Sequence, residues 1–237
     1  MPVALLAAMR PDMAADVLRS RLEQGAATVG VALSQSQIDR LMAYMALIER
    51  WNRVYNLTAL RQPTEMLTHH LLDSLAVVPP LQRHIPHLIG DRTETRLLDV
   101  GSGAGLPGIV LAIALPQLRV TCIDTVRKKT SFILQAASEL GLQHLRSQHA
   151  RVEAWTGHTE EPKFDVVISR AFSSLSDFVD LTRHHLATPG VWLAMKGKRP
   201  SSEEQELPAD IDLFHVEQLL VPELDAERCL LWMRPRS

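Results

Sequence analysis

The chain has 237 residues, 46% of them apolar and 22% charged, with a formal net charge of −2. That length buries a sizeable core, and that composition excludes a disordered or fibrous chain. A near-neutral charge is not that of a basic nucleic-acid binder, so any polyanion site must be a local patch. Two cysteines, Cys122 and Cys229, make no disulfide framework; both are expected as small buried residues in strands, in a reducing cytosol. Met1–Met9 is mildly apolar but lacks a basic flank, and no apolar run is long enough to span a bilayer. The expectation is a cytoplasmic chain.

In chain order, residues 1–30 read as a loose helical extension. Ser34 then looks like an N-cap, with Gln37 completing a capping box. Ile38, Leu41, Met42, Met45, Ile48 and Trp51 recur at helical spacing and predict a core-facing stripe. Asn52–Thr58 breaks that period. Pro63 opens another helix carrying His69, His70 and Asp73 among leucines, with Pro79-Pro80 ending it or lying just beyond. Arg83–Thr95 has little periodicity and reads as a connector.

From Arg96 the period changes. Arg96–Val100 is the first predicted strand, Leu106–Leu115 a helix, Arg119–Asp124 the second strand, and Arg127–Leu140 a helix closed by Gly141. Leu145–His149 and Phe164–Ser169 follow as strands. Leu175–Leu186 is a helix, and Pro189-Gly190 turns into a strand at Val191–Lys196. Leu213–Val221 and Cys229–Met233 are the last two strands, one of them antiparallel. The expected fold class is α/β, a Rossmann-like seven-stranded and mostly parallel sheet. The expected division is an extension at 1–33, a helical cap at 34–95 and a cofactor-binding domain at 96–237.

Between the first strand and its helix lies Asp99-Val100-Gly101-Ser102-Gly103-Ala104-Gly105-Leu106-Pro107-Gly108. Dinucleotide, flavin and S-adenosylmethionine enzymes all use such a turn. An ionised Asp99 next to it is unfavourable beside a pyrophosphate and favourable beside a cationic, phosphate-free cofactor. Asp124, ending the second strand, suits ribose hydroxyls. Val152-Glu153 follows the third strand, where a backbone amide and an acid can read adenine.

After the fourth strand stands Ser169-Arg170-Ala171-Phe172, not the Pro-rich aromatic run that holds an exocyclic amine, and no cysteine pair is placed for attack on a pyrimidine. An acceptor that is already nucleophilic, such as guanine N7, needs mainly positioning. Arg127, Lys128 and Lys129 after the second strand, and Lys196, Lys198 and Arg199 after the fifth, are candidate RNA-backbone contacts on one face. A metal at His69, His70 and Asp73 has no cysteine or further ligand to support it, and none is expected.

Taken together, Trp51–Thr58, His70-Leu71-Leu72-Asp73-Ser74-Leu75, the glycine segment, Ser169–Phe172 and Lys196-Gly197 resemble the ribosomal RNA small subunit methyltransferase G family, also called glucose-inhibited division protein B. The resemblance implies methyl transfer from S-adenosylmethionine to guanine N7 in the 530 loop of 16S rRNA; the expected partner is that rRNA or the small subunit, and the expected state a monomer. It places Gly101, Leu106, Val152, Glu153 and Arg170 at the cofactor, beside Asp99, Gly103, Gly105 and Asp124 from the turn and strand ends. Arg170, Lys196 and Asn56 are expected to position the acceptor. A small-molecule methyltransferase, a nicotinamide oxidoreductase and a non-catalytic ribosome-assembly protein are the rival readings.

Overall fold

A computed structural model describes residues 11–89, 93–157, 163–170, 172 and 174–236. Residues 1–10 of the expected extension, and Ala171 of the Ser169–Phe172 run, lie outside them.

Among the described residues, four helical stretches precede the sheet. Helix α1 is Pro11–Thr28 and α2 is Gln35–Tyr55, opened by the expected Ser34–Gln37 capping box. Helix α3 begins at Pro63–Met66, widens into a π-helical segment at Leu67–Leu72, and resumes at Asp73–Leu75. Helix α4 is Val78–Ile89.

Packing corrects two expectations. Residues 11–28 are not loose: Leu18, Leu22 and Ala26 are buried, and a Cβ on Gly25 would lie 2.6 Å from Leu72, so α1 rests directly on α3. Pro79-Pro80 lie beyond the end of α3, as the sequence allowed, but they open a further helix rather than a connector. They sit in the first turn of α4, where a proline forfeits no intrahelical hydrogen bond. Leu81 and Ile85, four apart, bury the inner face of that helix, which takes up most of the expected connector.

The sheet has seven strands in the order β3-β2-β1-β4-β5-β7-β6. They are β1 Thr95–Val100, β2 Leu118–Asp124, β3 Leu145–His149, β4 Phe164–Ser169, β5 Leu186–Lys196, β6 Ile211–Gln218 and β7 Cys229–Pro235. The first five pair in parallel, and β7 runs antiparallel between β5 and β6. Helices α5 Gly108–Ala114, α6 Arg127–Glu139, α7 Leu175–Thr182 and α8 Ser201–Gln205 connect them.

Strand β5 begins earlier than periodicity suggests. Its pairing with β4 shifts between Phe164 and Val166, and Pro189-Gly190 lies within the strand. The helix before it stops at Thr182 and closes through a 3-10 turn, Arg183–His185.

Strands β1 and β4 are buried on both faces, as a parallel sheet covered on two sides requires. One face packs on α1 to α6 through residues such as Leu22, Leu71, Val110, Phe132 and Leu193. The other packs on α7 through Leu98, Val167, Phe178 and Trp192. Cys122 and Cys229 are buried and free, as expected.

Candidate active site

Strand β1 ends in a sharp loop because Gly101, Gly103 and Gly105 all adopt positive φ, which L side chains rarely do. The N–H groups of Gly101 and Ser102 donate to Ile123 O at 2.9 and 3.2 Å, binding the loop to the end of β2. Asp124 completes this tie. One carboxylate oxygen accepts from Gly103 N at 2.9 Å and the other from Val126 N at 2.8 Å.

Around that junction lies a cavity of about 330 Å³, lined by Gly101 after β1, Asp124 and Thr125 after β2, Arg151, Val152 and Glu153 after β3, and Phe172 after β4. It opens at the carboxyl ends of parallel strands, where doubly wound sheets hold ligands. Of the expected cofactor residues, Gly101, Asp124, Val152 and Glu153 line it. Gly103 and Gly105 shape the loop without lining the cavity, and Leu106 is buried in the core behind it. The Glu153 carboxylate accepts from Arg151 Nε at 2.5 Å; its pKa is lowered, first by its own backbone N–H and then by that arginine.

Asp99 lies under the loop rather than in the cavity. Its Oδ2 accepts from Gly108 N at 2.8 Å, while Oδ1 is buried with no hydrogen-bond partner. Desolvation pushes its pKa up to about 7, against the lowering effect of the Gly108 N–H and the more distant Arg170. Asp99 is therefore not the fixed negative charge expected from the sequence: it sits at the α5 N-terminus, poised between its charged and neutral forms.

A second cavity, of about 370 Å³, is lined by His69, His70, Asp73, Arg170, Lys196 and Arg228, with Met195 and Gly197. The two cavities flank the segment after β4: Phe172 lines the first and Arg170 the second. The π segment of α3 supplies His69 and His70, and the turn after it Asp73. Arg170 Nη1 donates to His69 O at 3.0 Å and to Asp73 Oδ2 at 3.2 Å. Arg228 Nε donates to Asp73 Oδ1 at 2.8 Å. A nearly inaccessible carboxylate is thus held between two arginines, one after β4 and one just before β7.

His70 is also nearly buried. Its Nε2 lies 2.9 Å from Thr58 Oγ1, and its Nδ1 has no hydrogen-bond partner. Burial, then the Arg170 charge, lowers its pKa to about 4, so the ring is neutral at pH 7. Thr58 is in turn held by Asn52, whose Oδ1 accepts from Thr58 N at 3.1 Å and whose Nδ2 donates to Leu60 O at 2.9 Å.

Asn52, Thr58 and Arg228 are residues that sequence reasoning did not single out. The asparagine-rich Asn52–Thr58 stretch was the available signal for the first two. Nothing local marked Arg228, which stands 155 positions from its partner. Asn56, expected beside the acceptor, is the exposed left-handed C-cap of α2 and lines neither cavity. Its φ of 49° is one that asparagine tolerates better than most side chains, which accounts for it at a helix end.

The two basic clusters follow β2 and β5 and so share the carboxyl edge, as expected. Arg127 and Lys128 are exposed, whereas Lys129 Nζ lies 3.9 Å from Asp124. In the other cluster Lys196 Nζ is 2.8 Å from Glu203, and Arg199 pairs with both oxygens of Glu204 at 2.7 and 2.9 Å. Lys198 is exposed. Much of the second cluster's charge is therefore matched by α8.

The family model for rRNA small subunit methyltransferase G (GidB) matches residues 37–231. The chain is 57% identical over 217 residues to ribosomal RNA small subunit methyltransferase G of Acidovorax sp. (strain JS42), covering 90% of this chain and 94% of that one. It is 56% identical over 231 residues to the protein of the same name from Paracidovorax citrulli (strain AAC00-1), covering 95% and 93%. Among solved structures, TrmN from Thermus thermophilus superposes with a TM-score of 0.51 at 20% identity, over 71% of this chain and 53% of that one. A ribosomal protein L11 methylase from Lactobacillus delbrueckii subsp. bulgaricus gives 0.51 at 15%, over 70% and 79%. The structural likenesses bear on the fold, which is that of the Rossmann-like methyltransferases, and the sequence matches bear on the family. The chain belongs to the rRNA small subunit methyltransferase G family of methyltransferases.

Proposed function

We propose that this protein transfers a methyl group from S-adenosylmethionine to N7 of a guanine in the 530 loop of 16S rRNA, with the nucleoside of the cofactor in the first cavity and the guanine in the second. The observation that carries this reading is the pairing of the cavities across the end of β4. One is lined by Gly101, Asp124, Val152 and Glu153, and the other by Arg170, Lys196 and Arg228 around the Asp73 carboxylate. The first has the size of a small-molecule site and offers Asp124 to ribose and the Val152–Glu153 turn to adenine.

When bound, S-adenosylmethionine supplies an electrophilic methyl on sulfur; the in-plane N7 lone pair takes it, sulfur keeps the bonding pair, and no proton is removed. The protein's share is then orientation and electrostatics. Arg170 and Arg228, held by Asp73, are donors suited to guanine O6, which leaves N7 free. His70 stays neutral and adds no further charge to this cavity. Lys196 keeps the post-β4 segment in place by donating to Phe172 O at 3.2 Å. Arg127, Lys128 and Lys198 meet the RNA backbone. The helices of residues 34–95 serve as a cap that carries one wall of the acceptor cavity. The protein acts in the cytoplasm as a monomer.

The test is transfer of labelled methyl from S-adenosylmethionine to 16S rRNA and to small subunits from a strain lacking the enzyme, mapped by mass spectrometry. Label on N7 of one guanine in the 530 loop is expected. Label on another atom, or none on either substrate, overturns the reading.

A further inference from the structure

At the β6 edge of the sheet, away from both cavities, three metal-type donors converge: His84 of α4 and His215 and Glu217 of β6. Their ligand atoms all lie within 4.8 Å of one another, and none of the three residues lines either cavity.

The arrangement follows from the local fold. His215 and Glu217 are two apart on one strand and therefore share a face. The β6–β7 register, shifted between Leu213 and His215, sets His215 opposite Trp232 and Glu217 opposite Leu230. The His84 ring rests on the Trp232 ring with centroids 4.3 Å apart, so the indole forms the floor of the cluster. Nε2 of His215 lies 3.8 Å from Oε2 of Glu217. That Oε2 is buried without a hydrogen-bond partner, although Arg83 pairs with the other oxygen of the same carboxylate. Arg83 thereby fixes the carboxylate with its unused oxygen toward the imidazoles, the role outer hydrogen bonds play around metal ligands.

We propose that His84, His215 and Glu217 bind a divalent transition metal of the zinc class, which fastens the cap helix α4 to the edge strand β6. Two imidazoles and a carboxylate form a nitrogen–oxygen set that suits zinc better than magnesium or calcium, with a fourth position left to water. Bonds of about 2 Å need donors about 3.3 Å apart, so the cluster must contract by up to about 1.5 Å. Rotation of the partly exposed His215 ring supplies that movement. The metal takes no part in methyl transfer; it bridges the long gap in sequence between α4 and β6 and pins the strand at the sheet's edge.

The test is zinc(II) titration of the full chain, free of any histidine tag, by calorimetry and by thermal melting, with cobalt(II) as a spectroscopic probe. One zinc per chain, a raised melting temperature and the visible bands of four-coordinate cobalt are expected. His215→Ala and Glu217→Gln should each weaken binding at least about 10-fold and remove the thermal shift, while circular dichroism stays that of the parent. Neither side chain belongs to an apolar core, so both variants should fold. No zinc binding by the parent, or equal binding by the parent and both variants, overturns the proposal.

Discussion

The carboxylate of Asp99 accepts a hydrogen bond from the backbone N–H of Gly108 at 2.8 Å, joining the end of β1 to the first turn of α5 beneath the glycine loop. Burial raises its pKa from 3.8 to about 7, so the folded state holds a proton that the unfolded chain releases. Its contribution to stability is full below about pH 4 and is lost as pH rises through about 7. His70 works in the opposite sense. Its pKa falls from 6.5 to about 4, so its contribution is present above pH 6.5 and lost as pH falls through about 4. The two slopes oppose each other in the parent. Asp99→Asn should remove the first and leave stability falling more steeply with acid between about pH 6.5 and 4. Urea denaturation across that range checks it; an unchanged profile would mean that Asp99 titrates normally.

Gly108 is glycine because of close approach. A Cβ there would lie 2.5 Å from Cys122 Sγ and 2.7 Å from Asp99 Oδ2. At Gly103 a Cβ meets nothing within 4 Å, and only its φ of +60° opposes a side chain. Gly108→Ala should cost about 1–3 kcal/mol through overpacking, and Gly103→Ala about 1 kcal/mol through backbone strain. Denaturation midpoints of the two variants should fall in that order.

Asp73 is nearly inaccessible and is claimed by both Arg170 and Arg228. Asp73→Asn leaves two cations in a part-buried site and should destabilise by about 3–5 kcal/mol. The exposed pair Arg19–Asp39 sets the contrast, since Asp39→Asn should cost no more than about 1 kcal/mol. Equilibrium urea unfolding of both variants separates a buried clamp from a surface ion pair.

The basic clusters should differ in RNA affinity. Arg127 and Lys128 are exposed, whereas Arg199 is matched by Glu204. Arg127→Glu with Lys128→Glu should weaken rRNA binding and lower the slope of log affinity against log salt by about 1 for each phosphate no longer neutralised. Arg199→Gln should change it little. Filter binding at several salt concentrations reads both, with cofactor affinity as the control.

The strand–turn–helix at Asp99–Gly108 was legible because glycine and apolar runs act locally, and the Ser34–Gln37 cap because its partners are three residues apart. Helix α4 was not, because its three prolines outweigh a short apolar period until Leu81 and Ile85 meet the core. Asn56 misled because a polar residue within a family-like stretch reads the same whether it lines a cavity or ends a helix.

By itself the sequence determined the α/β class, the parallel strands through β5, the glycine turn after β1 and the family. These depend on periodicity, turn chemistry and motif spacing, which are written over a few residues. Tertiary structure alone decided that β7 enters between β5 and β6, that Asp99 turns under the loop, and that Asp73 meets Arg228. It also brought His84 to His215 and Glu217. Each of these joins groups far apart in the chain, and burial chooses their partners once the sheet and cap have closed.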